Sequence, residues 1–240
     1  MSYEHLYKCY DRFVGVDYDD VATLISSVFN SFDISGRVLD IACGTGELTK
    51  RLCDKGFDMT GLDISEKMLG IAEGKCNARF IKGDMTEFSL SDSFSAVVCT
   101  LDAVNHLESK DAVKSFFRCT YDALKSDGIF VFDINSPYKH KEILSNNTFV
   151  FEDEKTYLVW KNEYDGDKRR VNISLDFFTQ SNGLYERSSE SFYEYDYPID
   201  EIKDMLYQTG FEIINISGGY DMEEIDEYTE RYFIIAGKAE

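Results

Sequence analysis

The chain has 240 residues, of which 43% are apolar, and its 45 acidic against 25 basic side chains give a formal charge of −20. That length suits one α/β domain with room for a small insertion, and the charge, with no basic run longer than Lys168-Arg169-Arg170, argues against a nucleic-acid partner. No apolar run approaches the roughly 20 residues that span a membrane, no signal peptide is legible at the start, and six cysteines without a C-x-x-C pair suggest a reducing compartment, so a cytoplasmic protein is expected.

Residues 1–32 are predicted helical from the spacing of Leu24, Ile25, Val28 and Phe29, with Tyr7-Lys-Cys-Tyr10-Asp11-Arg12-Phe13 in front of them. A short strand, Val38, Leu39 and Ile41, then breaks into the small turn Ala42-Cys43-Gly44-Thr45-Gly46. A helix carrying Leu48 and Leu52 follows, with Gly56 to cap it, and a strand from Phe57 to Leu62 ends on Asp63. Such a β-α-β unit brings a ligand onto unpaired amides at a helix N-terminus, with the acid after the second strand placed for ribose hydroxyls. The dinucleotide fingerprint wants a third small residue where Thr49 stands. Asp40, four residues before Gly44, would repel a pyrophosphate and favours a cationic ligand.

The string Asp40-Ile-Ala-Cys-Gly-Thr-Gly46, in register with Asp63, resembles the first motif of class I S-adenosylmethionine-dependent methyltransferases. The resemblance implies an α/β fold: a Rossmann-like seven-stranded mixed sheet, with S-adenosylmethionine bound and S-adenosylhomocysteine as product. It implies cofactor contacts from Asp40, Ala42, Gly44, Thr45, Gly46 and Asp63, and from Tyr10 and Arg12 in a segment that closes over the methionine end. Ser65–Ala72 is a predicted helix, with Asp63 and Glu66 spaced as a capping box. In the family, Ile64 and Met68 flank the adenine. A third strand, 78–82, leads into Gly83-Asp84-Met85, where family members hold the adenine amino group through an acid and the next amide.

A fourth strand, 95–100, runs into Leu101-Asp102-Ala103-Val104-Asn105-His106. Ligands of open parallel sheets lie at strand C-termini near the switch in strand order, so this turn faces the transferable methyl. Leu101 is assigned to the cofactor, and Asp102, Asn105 and His106 are the candidate catalytic residues, His106 as proton acceptor. A helix over 111–125 precedes a fifth strand, 129–134. Asp133 and Asn135 are expected at the mouth of the site and in contact with substrate.

From 138 to 197 the pattern changes to strands, 155–163 and 169–180, then the hairpin signal Ser181-Asn182-Gly183 and an alternating stretch, 184–197. An antiparallel β insertion of this kind is expected to act as a lid and substrate domain. Trp160, Tyr193 and Tyr195 are its candidate substrate-binding aromatics, with the tyrosines on one face and Glu186, Glu190, Glu194 and Asp196 on the other. Residues 198–240 return to the main domain as a helix and two strands. In the family the last of these is inserted antiparallel beside the fifth. The expected division is therefore 1–137 with 198–240 for cofactor binding and 138–197 for the lid. No metal-ligand spacing is present, so no catalytic metal is expected.

The whole chain resembles small-molecule methyltransferases, and the expected reaction is in-line methyl transfer to N or O of a small-molecule acceptor. Two other readings stand beside it: an RNA- or protein-modifying methyltransferase, and a regulatory protein that binds S-adenosylmethionine without turnover. The sequence leaves acceptor and oligomeric state open.

Overall fold

The computed structural model describes residues 10–13, 16–91 and 93–239. Strand β1 (Arg37–Ile41) is buried at every position after the first, as a strand covered by helices on both faces must be. It pairs in parallel with β2 (Asp58–Asp63) on one side and with β4 (Phe94–Cys99) on the other. β3 (Arg79–Lys82) extends the sheet beyond β2, and β5 (Leu124–Asn135) lies beside β4. β11 (Arg231–Lys238) then slots antiparallel between β5 and β10 (Phe211–Gly218), completing the order β10-β11-β5-β4-β1-β2-β3.

Alternation along β1 sends Leu39 and Ile41 into one core and Val38 into another. The first core is closed by α5 (Lys110–Ala123) and α6 (Ile199–Thr209), through Phe116, Phe117, Ile202 and Leu206 against Phe130 and Phe132. The second lies under α2 (Tyr18–Ser31) and α3 (Glu47–Asp54), through Ala22, Ile25, Phe29 and Leu52. A helical turn, α1 (Tyr10–Phe13), precedes α2, so the helical stretch foreseen for the first 32 residues is interrupted before Asp17, which caps α2 with its carboxylate. The capping box foreseen at Asp63 and Glu66 is not the one used. Ser65 caps α4 (Glu66–Ala72) by accepting from the Met68 amide, which leaves Asp63 for other partners.

Between β5 and α6 stands a separate antiparallel sheet of β6 (Thr148–Glu152), β7 (Thr156–Asp165), β8 (Arg170–Ser181) and β9 (Leu184–Tyr195). Asn182 and Gly183, both in left-handed backbone, make the two-residue turn between β8 and β9. Strand β6 has no counterpart in the sequence reading. The inner face is set by Val171, Ile173, Leu175 and Phe177 of β8. Register pairs Ile173 with Phe192 and Val171 with Glu194, so these two residues of β9 share the inner face, while Tyr193 and Tyr195 lie on the other.

Candidate active site

Two adjoining cavities lie at the C-terminal ends of β1, β2, β4 and β5, and both are walled by Leu101 and His106. The first, of about 230 Å³, is bounded by the turn after β1. Ala42, Gly44 and Gly46 all have positive φ there, bending the chain so that its backbone lines the space. A Cβ built on Gly44 would meet nothing within 4 Å, so this turn is open to a ligand. Gly46 serves packing instead: it lies off the cavity wall, and a Cβ there would be 2.8 Å from that of Ala72.

Asp63 is only 8% exposed yet forms part of this wall. Its Oδ2 accepts from the Gly44 amide at 2.8 Å and its Oδ1 from the Ser65 amide at 2.7 Å, which fixes the carboxylate while leaving each oxygen further accepting capacity. Burial raises its pKa against those amide bonds. Asp40, also on the wall, is buried and accepts from the Thr49 hydroxyl at 2.5 Å. Burial, opposed by that bond and assisted by the Asp63 charge, pushes Asp40 up to about 7. Ile64, 46% exposed, and Met68 supply apolar surface beside Asp84 and Met85. Asp84 Oδ1 is taken by the amide and hydroxyl of Thr86. The side chains of Tyr10 and Arg12 lie outside the described residues, but Asp11 between them accepts from the Thr45 hydroxyl at 2.5 Å and ties α1 to the turn.

The second cavity, of about 120 Å³, lies between the main sheet and the inner face of the antiparallel one. Phe13, Leu144, Leu158, Trp160, Leu175 and Phe192 form its apolar side, and Asp102, His106, Asn135, Lys139, Glu194 and Arg231 its polar side. Glu194 is 4% exposed. Its Oε2 accepts from Asn135 Nδ2 at 2.9 Å and from His140 Nε2 at 3.0 Å, while Oε1 has no partner among the described residues. Burial raises the pKa of Glu194, but the His140 contact and the Asn135 bond outweigh it and hold the acid ionised, below its ordinary range. An ionised Glu194 fixes the Asn135 amide with its NH₂ toward the acid. Asn135 Oδ1 is then a buried acceptor with no partner.

Leu101 and Asp102 have consecutive positive φ values of 60° and 55°, a conformation that costs a non-glycine residue roughly 1–2 kcal/mol. The turn is held because its two amides point at one carboxylate. Asp133 Oδ2 accepts from Leu101 N at 2.8 Å and Oδ1 from Asp102 N at 2.7 Å. Tyr220 donates to Asp133 at 2.5 Å, and Arg231 bridges Asp133 and Asp102. Asp133 is therefore fully buried and occupied, and it lines neither cavity, contrary to the expected substrate contact. Asn105 also departs from expectation. It is fully buried and staples strand ends together, donating to the carbonyls of Asn135 and Tyr195 and accepting from the Asn135 amide.

Of the aromatics proposed for the insertion, Trp160 lines the second cavity and Tyr193 and Tyr195 do not. Tyr193 lies under the Arg170 guanidinium, 3.9 Å from its ring centroid. The alternation in β9 was legible, but an all-tyrosine face looked like the buried one. Pairing with β8 makes Phe192 and Glu194 the inner residues, and period-2 patterning alone cannot choose between faces. Lys139, Phe13 and Glu194 were likewise missed, because their neighbours in space are distant in sequence. Asp102, His106 and Glu194 also bring ligand-type atoms within 4.8 Å of one another. The sequence spacing hides this grouping, but its two acids are already engaged by Arg231, Asn135 and His140.

A family model described as a methyltransferase domain matches residues 38–128. YqeM of Bacillus subtilis (strain 168), named as a methyltransferase, is 33% identical over 245 residues, covering 100% of this chain and 98% of its own. A dTDP-3-amino-3,6-dideoxy-alpha-D-glucopyranose N,N-dimethyltransferase of Streptomyces fradiae is 32% identical over 128 residues, 52% of this chain and 50% of that protein. The crystal structure of an S-adenosylmethionine-dependent methyltransferase from Clostridium acetobutylicum matches with a TM-score of 0.89 at 28% identity, over 98% of this chain and 97% of that one. The β-α-β turn with Asp40 and Asp63, the strand order with its antiparallel insertion, and these likenesses agree: the chain belongs to the class I S-adenosylmethionine-dependent methyltransferases.

Proposed function

We propose that this methyltransferase acts on the nitrogen of a small-molecule amine held in the second cavity, under the antiparallel sheet of residues 148–195 acting as a lid. The observation that carries this reading is a pair of acceptors there that no donor among the described residues takes: Glu194 Oε1 and Asn135 Oδ1. Groups of that kind favour a substrate rich in N–H, and a space of about 120 Å³ favours a small one. The likeness to an amino-sugar N,N-dimethyltransferase over half of the chain supports the same choice. The formal charge of −20 is also better suited to an amine than to a phosphate-bearing polymer.

In this reading Asp63 receives the ribose hydroxyls of S-adenosylmethionine, Ile64 and Met68 border its adenine, and Asp84 with the Met85 amide takes the adenine edge. Asp40 and the backbone of residues 42–45 face its amino-acid end. Bound there, the cofactor supplies a methyl carbon already activated by a sulfonium leaving group. The chain's part is then to hold the acceptor nitrogen in line and dry, which is worth several kcal/mol without acid–base help. His106, common to both cavities, takes the proton from an acceptor that arrives as an ammonium, and the nearby Glu194 charge steadies the imidazolium so formed.

Release of S-adenosylhomocysteine with matched amines, alcohols and phenols tests the assignment. Amines should turn over, and Glu194→Gln should separate acceptor from cofactor. The new amide keeps its oxygen toward Asn135 and His140 and turns a donor into the cavity. Acceptor kcat/KM should fall about 10- to 100-fold, the loss of one charge-assisted bond, with cofactor affinity kept. Preferred turnover of alcohols or phenols, or an unchanged kcat/KM in Glu194→Gln, would overturn the reading.

A further inference from the structure

We propose that the acceptor is an amino acid, an amine that also carries a carboxylate, and that Lys139 receives that carboxylate in the second cavity. The inference rests on the amine reading above and narrows it. Two cations line this cavity, and they differ in what surrounds them. Arg231 is spent, because its two terminal nitrogens go to Asp133 and Asp102. Lys139 makes no side-chain hydrogen bond and no ion pair among the described residues, although Asp102, Glu194 and Glu230 are near enough to favour its charge. Burial and the Arg231 charge both work against that charge and draw the Lys139 pKa down. An ammonium kept largely from water without a partner is costly unless a ligand anion completes it.

The opposite charge is equally unfinished. Glu194 keeps Oε1 and Asn135 keeps Oδ1 without partners, in the same small space. Acceptors for an ammonium and one cation for an anion therefore face the same space of about 120 Å³, which favours a ligand whose two charges lie only a few bonds apart. The remaining wall is apolar and aromatic, with Phe13, Leu158, Leu175, Trp160 and Phe192 from α1 and the antiparallel sheet. An α-amino acid with an apolar side chain matches all three surfaces. A simple amine would leave Lys139 unmatched, and a neutral sugar amine would leave it unmatched as well.

Trp160 is the single tryptophan of the sequence and stands in this wall, so its fluorescence reports occupancy without requiring turnover. The protein, saturated with S-adenosylhomocysteine, is titrated with phenylalanine, leucine and glycine, and with phenethylamine and phenylalaninamide as partners lacking the carboxylate. Transfer assays with S-adenosylmethionine use the same compounds. We expect at least one amino acid to bind about 10-fold or more tighter than its carboxylate-free partner. Lys139→Gln should abolish that difference and Lys139→Arg should restore part of it, with binding of the carboxylate-free amine unchanged. Equal binding of the pairs to the native protein, or a preference that survives Lys139→Gln, would overturn the inference while leaving amine methylation standing. Failure of every amine to bind or turn over, with S-adenosylhomocysteine still bound, would overturn both.

Discussion

The carboxyl of Asp40 offers a test in which stability and cofactor binding must move in opposite directions. Its pKa rises from 3.8 to about 7 because it is buried beside the Asp63 charge, with one hydroxyl, Thr49, to help it. Unfolded, it titrates near 3.8, so between about pH 4 and pH 7 the folded chain binds more protons than the unfolded one. Stability must then fall as pH rises through that window and stay level above it. At about 1.4 kcal/mol per pKa unit, the ionised carboxylate costs the apo fold on the order of 4 kcal/mol at pH 8. Asp40→Asn removes this term and keeps an acceptor for Thr49. The variant should therefore exceed the native chain by that order at pH 8 and lose its advantage near pH 4, as read by urea unfolding at both values.

Cofactor binding should respond in the other sense. An ammonium brought beside Asp40 favours its ionised form, so binding near pH 7 releases a proton from a group that was partly protonated. Calorimetry in buffers of different ionisation enthalpy would count it. Asp40→Asn should bind S-adenosylmethionine about 10- to 100-fold more weakly, consistent with loss of a charge-assisted bond, and release no proton at this step. A variant with unchanged stability at pH 8, or with native affinity and native proton release, would refute the reasoning.

Asp133→Asn should destabilise the fold by about 3–5 kcal/mol, because Arg231 loses its buried partner and an amide NH₂ meets a backbone N–H; a loss under about 1 kcal/mol in urea unfolding would show that the turn holds itself. Gly46→Ala should cost about 1–3 kcal/mol, since its φ is 75° and the new methyl collides with Ala72, as thermal unfolding would register. Gly44→Ala meets no collision but puts an alanine at a φ of 53°, so it should cost the fold only about 1 kcal/mol in unfolding while weakening cofactor affinity, read by calorimetry, by more than that strain accounts for. Asn105→Ala leaves the Asn135 amide and carbonyl and the Tyr195 carbonyl without their partner. We expect a loss of about 2–3 kcal/mol in unfolding, with acceptor turnover falling only as far as the fold does.

The wall of the first cavity was legible because its residues are local. Asp40, Gly44 and Asp63 sit in one β-α-β unit, where spacing along the chain fixes spacing in the fold. The second cavity was legible only in part: Asp102, His106, Asn135 and Trp160 line it as expected, but the rest is assembled from strands that meet only through register. Asp133 at a strand end looks like a substrate ligand until Leu101 N, Tyr220 and Arg231 are brought to it from two other segments. The same holds for Glu194, whose face is decided by pairing with Val171. Polarity shows that a residue needs a partner, and only the assembled fold shows whether the protein already provides one.

The clamp on Leu101 and Asp102 also has a consequence for the order in which the molecule matures. Its guanidinium comes from β11, which must thread between two neighbours before it can reach the turn. During synthesis the segments that wall the first cavity emerge long before this strand does. A growing chain would thus complete the wall of the first cavity early, and the clamp on Leu101 and Asp102 that borders both cavities only when the sheet closes.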